Sequence, residues 1–382
     1  MENRRIVMIP GPTPVVRSIQ DQMGRDTQAF GDPLFVGDYK EVIKGLKELW
    51  SCDGEVFVVA ASGTLGMEMA IANTLKAGDN LLIISHGFFG DRFVELCERK
   101  GIVCDIIKSE WGTIVPVSDI DKKLSEKSYQ AVTITHVDTA TGVIAPIDEI
   151  GEMMKKYPET IYILDGVCAT AGVDEDMQKF NIDVLLTGSQ KAFGVPPGLT
   201  MVWANKRAMV RRETLGNIPE YYTDFYKWLP IMQDPSKYYA TPSINLIWAM
   251  KESIRIIKEE GLQNRYARHA KVGKAMQAAL EALGFTILAE KAHRAPTLSN
   301  VIYPEGVNDL EFRNGVYAEG IVVAGGLAAY AGKMFRIGHM GNIDIHELVA
   351  ALATIERTLY KLGKRDFEFG KGVGTFLKNI VD

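Results

Sequence analysis

Between residues 55 and 205 the chain alternates short apolar runs with longer stretches of helical period. "EVFVVA" (55–60) precedes a mostly apolar helical stretch at 64–76. "NLLIIS" (80–85) precedes one carrying Phe93, Val94, Leu96 and Cys97 that ends near Gly101. "VCDIIK" (103–108), "AVTITH" (131–136), "TIYILD" (160–165), "DVLLTG" (183–188) and "LTMVWA" (199–204) continue the series. Short β-branched and leucine runs separated by helices predict strands buried on both faces of a mainly parallel sheet. The expected class is a doubly covered α/β domain.

Past residue 205 the period changes. Residues 241–262 carry Ile244, Ile247, Trp248, Met250, Ile254 and Ile257 at helical spacing and stop at Gly261, which predicts a long helix leading to a hinge. The C-terminal third offers a helix at 266–283, strand candidates "FTIL", "SNVIYP" and "IVVAG", and a closing helix at 344–361. This mixture predicts a small α+β domain. The division is an arm at 1–20, a large α/β domain at 21–260, a small domain at 261–365 and a tail at 366–382 without a readable period. No internal repeat or low-complexity segment interrupts it.

Composition narrows the function. With 382 residues, 47% hydrophobic and 24% charged, the chain can bury a sizeable core. A net charge of -5 gives no electrostatic case for nucleic acid or an anionic membrane. No apolar run approaches the ~20 residues of a membrane span. The opening "MENRRIVMIPGPTP" is too short in apolar residues for a signal segment. Four scattered cysteines without a CxxC, and six histidines without HxH or HExxH, support neither a disulfide scaffold nor a metal site. The expected setting is reduced and cytoplasmic.

Ligands of open α/β sheets collect at the carboxyl ends of strands, so the residues just after each run carry the candidate chemistry. Ser62-Gly63-Thr64 offers two hydroxyls and a glycine at a helix N-terminus, which suits a phosphate or serves as a plain N-cap. Phe89, between glycines, can lie against a planar ring or belong to the core. Val137 to Gly142 form a polar loop after the next run. Asp165 ends a wholly apolar strand, where an uncompensated carboxylate costs roughly several kcal/mol. Lys191 ends the next one, before a loop broken by Gly194, Pro196, Pro197 and Gly198. Two readings satisfy this pattern. Asp165 and Lys191 form a structural ion pair, or both face a third body that is planar, cationic and phosphorylated. Pyridoxal 5'-phosphate (PLP) fits that description, since its enzymes pair a Schiff-base lysine with an acid at the pyridinium nitrogen.

On the motifs "IPGPTPV" (9–15), "SGT", "HVDTATGVIAPID", "LDGVCATAG", "GSQKAFGVPPG" and "FRIGHMG", the sequence resembles the class V aminotransferases, and among them the serine–pyruvate / alanine–glyoxylate group. The resemblance runs over nearly the whole chain. It implies the PLP-dependent, aspartate-aminotransferase-like fold, with a mainly parallel sheet in a large domain and a smaller α+β C-terminal domain. It also implies roles. Lys191 would carry the cofactor aldehyde and Asp165 would hold the ring nitrogen. Phe89 would stack on the ring and Thr139 would contact its hydroxyl side. Ser62, Gly63, Thr64 and Gln190 would hold the phosphate, with Thr241 reaching the phosphate of a neighbouring subunit. Arg336 would bind the substrate carboxylate.

Three features depart from the family. Phe89 stands where tryptophan is frequent, "AFGDPLF" (29–35) replaces H-R-x-P-E-F, and Tyr238 and Tyr239 are adjacent where relatives carry a tyrosine before the TP pair. The implied activity is ping-pong transfer of an amino group from alanine or serine to glyoxylate or pyruvate, by a homodimer with shared active sites. Pyridoxamine–pyruvate and ureidoglycine–glyoxylate exchange are the alternatives. Cysteine desulfuration ranks lower, because no cysteine follows Cys168, and so does a non-catalytic PLP-binding role.

Overall fold

Each apolar run between 55 and 204 forms a strand. The computed structural model describes residues 5–381. Seven strands make one sheet in the order Glu55–Ala61, Gly198–Ala204, Val184–Gly188, Ile161–Asp165, Ala131–Thr135, Asn80–Ser85 and Val103–Lys108. The last five are mutually parallel. Gly198–Ala204 runs antiparallel to both its neighbours, which departs from a uniform series of crossovers. The loop before it, 189–197, is shorter than the dozen or so residues a parallel crossover needs, so the chain turns straight back. Ile161–Asp165 and Val184–Gly188 are buried throughout, as their composition requires. Val103–Lys108 is not buried on both faces. It is the sheet edge, and Val103 is half exposed.

Gly261 ends the helix Ile244–Glu260 and begins the helix Leu262–Ala282, so the second helix starts earlier than its apolar spacing suggests. A φ of 77° at Gly261 lets the chain turn within one residue, a conformation that costs other side chains energy. The segment "IVVAG" is not one strand. Ile321–Val322 pairs in parallel with Ile6–Val7, while Ala324–Gly325 joins an antiparallel sheet with Thr286–Ile287, Leu298–Ile302 and Met334–Gly338.

One hydrophobic core follows the large sheet. A second gathers Phe285, Phe312, Phe335 and Leu352, together with Met8 from the N-terminal arm and Phe376 from the tail. The tail forms the helix Lys371–Val381, packed on Leu262–Ala282, with Phe376 wholly buried.

Candidate active site

The carboxyl ends of the parallel strands surround a cavity of about 200 Å³. Ser62, Gly63 and Thr64 line one part of it, Phe89 and Thr139 another, and Asp165, Gln190 and Lys191 complete the wall. Eight residues from five separate segments thus meet in one place.

Asp165 lies fully buried at the end of its strand. Its Oδ1 accepts the Val167 N–H at 3.0 Å and its Oδ2 the Thr135 hydroxyl at 3.5 Å. Burial pushes its carboxyl up to about 7, against the Val167 hydrogen bond, and the nearby carboxyls of Asp138 and Glu175 add to the rise. Lys191 does not neutralise it. The lysine Nζ donates to the carbonyl of Pro10, and no ion pair joins Asp165 and Lys191 among the described residues. The N-terminal arm also accepts nothing bulkier than glycine here. A Cβ on Gly11 would overlap the Lys191 side chain, and φ at Gly11 is 107°. Thr13 Oγ1 donates to the Lys191 carbonyl at 2.8 Å, fixing the arm to the lysine loop.

Ser62 is the N-cap of the helix Gly63–Thr74, and its side chain makes no capping hydrogen bond. A Cβ on Gly63 would stand 2.7 Å from Val167 Cγ2, so glycine is what allows this helix start to close on the Asp165 loop. The free N–H groups of a helix N-terminus attract an anion. Gln190 Oε1 is buried without a hydrogen-bond partner.

Phe89 is held by Asp138, a fully buried acid that accepts the N–H groups of Phe89 at 2.9 Å, Gly90 at 3.2 Å and Ala140 at 2.8 Å. One carboxyl therefore ties the Phe89 loop to the Thr139 loop. Burial raises the Asp138 carboxyl above its ordinary range. Arg336 approaches through Thr139. Its Nη1 lies 3.4 Å from Thr139 Oγ1 while its Nε donates to the Gly325 carbonyl at 2.8 Å. Asn300, paired across the small sheet with Arg336, donates to the Ala140 carbonyl at 2.7 Å. Thr241 is not in the cavity. It is exposed, with its hydroxyl 3.4 Å from Tyr238 Oη.

Several lining residues, Met67 and Val167 among them, were not singled out by the sequence. Thr135, Cys168 and Asp138's neighbour Val137 line the cavity, as does Arg92. Arg92 follows Phe89 by three residues, a spacing that puts two side chains on one helical face and could have flagged it. Among the described residues no cluster of His, Cys, Asp and Glu could hold a metal, and no helix is long and apolar enough to cross a membrane.

The family model for class-V aminotransferases matches residues 38–344. An uncharacterized aminotransferase of Methanocaldococcus jannaschii is 35% identical over 368 residues, covering 94% of each chain. The serine–glyoxylate aminotransferase of Arabidopsis thaliana is 30% identical, over 94% of this chain and 91% of its own. The crystal structure of ureidoglycine–glyoxylate aminotransferase from Bacillus subtilis overlays with a TM-score of 0.93 at 26% identity, covering 100% of this chain and 99% of that one. With that match spanning the cavity and the sheet that carries it, the chain belongs to the class-V aminotransferase family.

Proposed function

We propose that this chain is a PLP-dependent transaminase that moves the amino group of alanine or serine to glyoxylate or pyruvate. One observation carries the reading: Asp165 and Lys191 face the same cavity without neutralising each other. The cavity's chemistry also fits the cofactor. Ser62, with no capping bond, the helix N-terminus behind it and the orphaned Gln190 side chain suit a phosphate. Phe89 suits a ring face, and an acid raised by burial is stabilised by a cationic ring nitrogen.

PLP, when bound, supplies a ring that accepts the electron pair left as the α-proton departs. Arg336 binds the α-carboxylate of the amino acid with its planar fork. Asp165 would hold the ring nitrogen in its protonated form. Lys191 Nζ, in a site walled by Met67, Val137 and Val167, takes the α-proton as general base. Ping-pong kinetics follow, because one binding region serves donor and acceptor in turn.

The name of the Arabidopsis relative supports the serine–glyoxylate pair. The overlay on the Bacillus enzyme favours a second reading, ureidoglycine–glyoxylate exchange. Thr241 is assigned to the site of a second copy. It stands exposed beside Tyr238, which is 62% exposed. Within each chain of such a homodimer, the helix break at Gly261 separates a large cofactor domain from a small one. Four unpaired cysteines accord with a reduced cytoplasmic setting.

The test is a half-reaction. Purified cofactor-loaded protein is mixed with alanine, serine or ureidoglycine without an acceptor, and its visible spectrum is followed. Bleaching of the lysine-linked band, and its return on adding glyoxylate or pyruvate, is expected. A spectrum unmoved by every donor defeats the proposal. Lys191→Ala is expected to lose the band and to lower turnover about ten-thousandfold.

A further inference from the structure

We infer that Arg92 is a specificity-determining residue: it is the cation that selects a phosphorylated ring over an unphosphorylated one. The inference rests on the PLP reading above and assigns a role to a residue outside that set.

The hydroxyls, helix N-terminus and amide around Ser62 to Thr64 and Gln190 are all formally neutral. A phosphate carries about -1.5 to -2 at pH 7, and a charge that large is costly to enclose without a counter-ion. Arg92 supplies one. Its Nη1 donates to Thr64 Oγ1 at 3.2 Å, which puts the guanidinium beside the first turn of the helix Gly63–Thr74. Its Cζ sits 4.6 Å from the centroid of the Phe89 ring and 5.6 Å from that of Phe88. Stacking on one side and a hydrogen bond on the other hold its planar fork at the cavity wall.

The charge acts on the Asp165 carboxyl from a distance but has no carboxylate in contact. Arg92 makes no ion pair among the described residues, and the adjacent Asp91 is committed elsewhere, to Ser85 at 2.7 Å and Lys108 at 2.9 Å. A guanidinium left without a carboxylate, oriented by its neighbours and facing a helix N-terminus, matches a bidentate oxyanion. Arg336 does not compete for this task, since its partners Gly325 and Thr139 belong to other loops. The inference weighs against pyridoxamine–pyruvate exchange, whose amine substrate lacks the phosphate.

The experiment measures dissociation constants of PLP and of pyridoxal for the cofactor-stripped full chain, by visible absorbance, in the wild type, Arg92→Lys and Arg92→Ala. Arg92→Ala is expected to weaken PLP about ten- to a hundredfold, the range for a lost charge-assisted hydrogen bond, while pyridoxal is unchanged. Arg92→Lys should fall between, and inorganic phosphate should compete with PLP more weakly in both variants. A structural role for Arg92 would weaken both ligands together. An unchanged PLP-to-pyridoxal ratio in either variant overturns the inference. If Arg92→Ala binds neither ligand, the ratio in Arg92→Lys decides. A wild type that binds pyridoxal as tightly as PLP overturns the inference alone. A wild type that binds neither overturns the cofactor reading beneath it.

Discussion

Arg265 donates Nη2 to the carbonyl oxygen of Ala192 at 2.6 Å, one residue beyond Lys191. The same wholly buried guanidinium donates Nε to the Ala171 carbonyl at 2.9 Å, in the loop that follows Asp165, and pairs with Glu260 at 2.6 Å. Ala171 is held in the left-handed region at φ 68°, a conformation that alanine keeps only when its surroundings impose it. One side chain at the Gly261 junction therefore sets the spacing between the loop of the acid and the loop of the amine.

Arg265→Lys keeps the charge and loses the fork. It is expected to destabilise the holoenzyme by about 2–4 kcal/mol in urea melts, because two buried carbonyls and Glu260 lose partners together. It should also lower kcat more than it raises KM, since the displaced groups act on the reacting atoms. A melt within error of the wild type would refute this account.

Asp165 makes the cofactor-free chain sensitive to pH. Its folded-state carboxyl, pushed up to about 7 by burial, lies above the ordinary value of 3.8. Below pH 3.8 folded and unfolded chains both hold the proton. Between 3.8 and 7 the folded chain keeps it while the unfolded chain releases it, so stability falls as pH rises and levels off above 7. Asp165→Asn removes this dependence. At pH 8 the stripped variant should be more stable than the stripped wild type by on the order of a few kcal/mol, with the gap closing toward pH 4. Paired denaturant melts across that range check it.

Arg336→Lys replaces a bidentate fork by a point charge. KM for alanine is expected to rise about ten- to a hundredfold, with a smaller change in kcat and no change in PLP affinity. Steady-state kinetics against both substrates would reveal the outcome. Loss of PLP instead would move Arg336 out of the substrate site.

Phe376→Ala should cost about 3–5 kcal/mol through the cavity it leaves in the second core. The folded fraction should retain its half-reaction with alanine, because the tail helix packs on Leu262–Ala282 and Ile345–Lys361, neither of which lines the cavity. Thermal melts read beside single-turnover spectra separate the two effects.

The strand series and the loops carrying Ser62, Phe89, Asp165 and Lys191 were legible because strands buried on both faces admit few polar residues, so their ends stand out. The reversed strand at 198–204 was legible in principle, since 189–197 is too short to cross over. "VCDIIK" resembles an interior strand in composition, and only the absence of a neighbour beyond it makes it an edge. "IVVAG" reads as one strand because nothing local announces that Val322 and Ala324 pair with different partners. Arg92 does not stand out among 43 basic residues, and only its spacing from Phe89 hints at it, as its meaning lies in its contacts with Thr64 and Phe89. The tail offers one wholly buried large anchor, Phe376, among glycines and lysines, too sparse for a period.

The parallel pairing of Ile6–Val7 with Ile321–Val322 fixes an order of assembly during synthesis. All seven strands of the large sheet have left the ribosome once residue 204 has emerged, so acid and lysine are in place early. Ile6–Val7 can pair only after residue 322 is made, whereas Thr13 finds its partners, the carbonyls of Gln190 and Lys191, much earlier. A nascent chain stalled between those points has both ends of the Pro10–Lys191 contact available while Ile6–Val7 still lacks its partner strand.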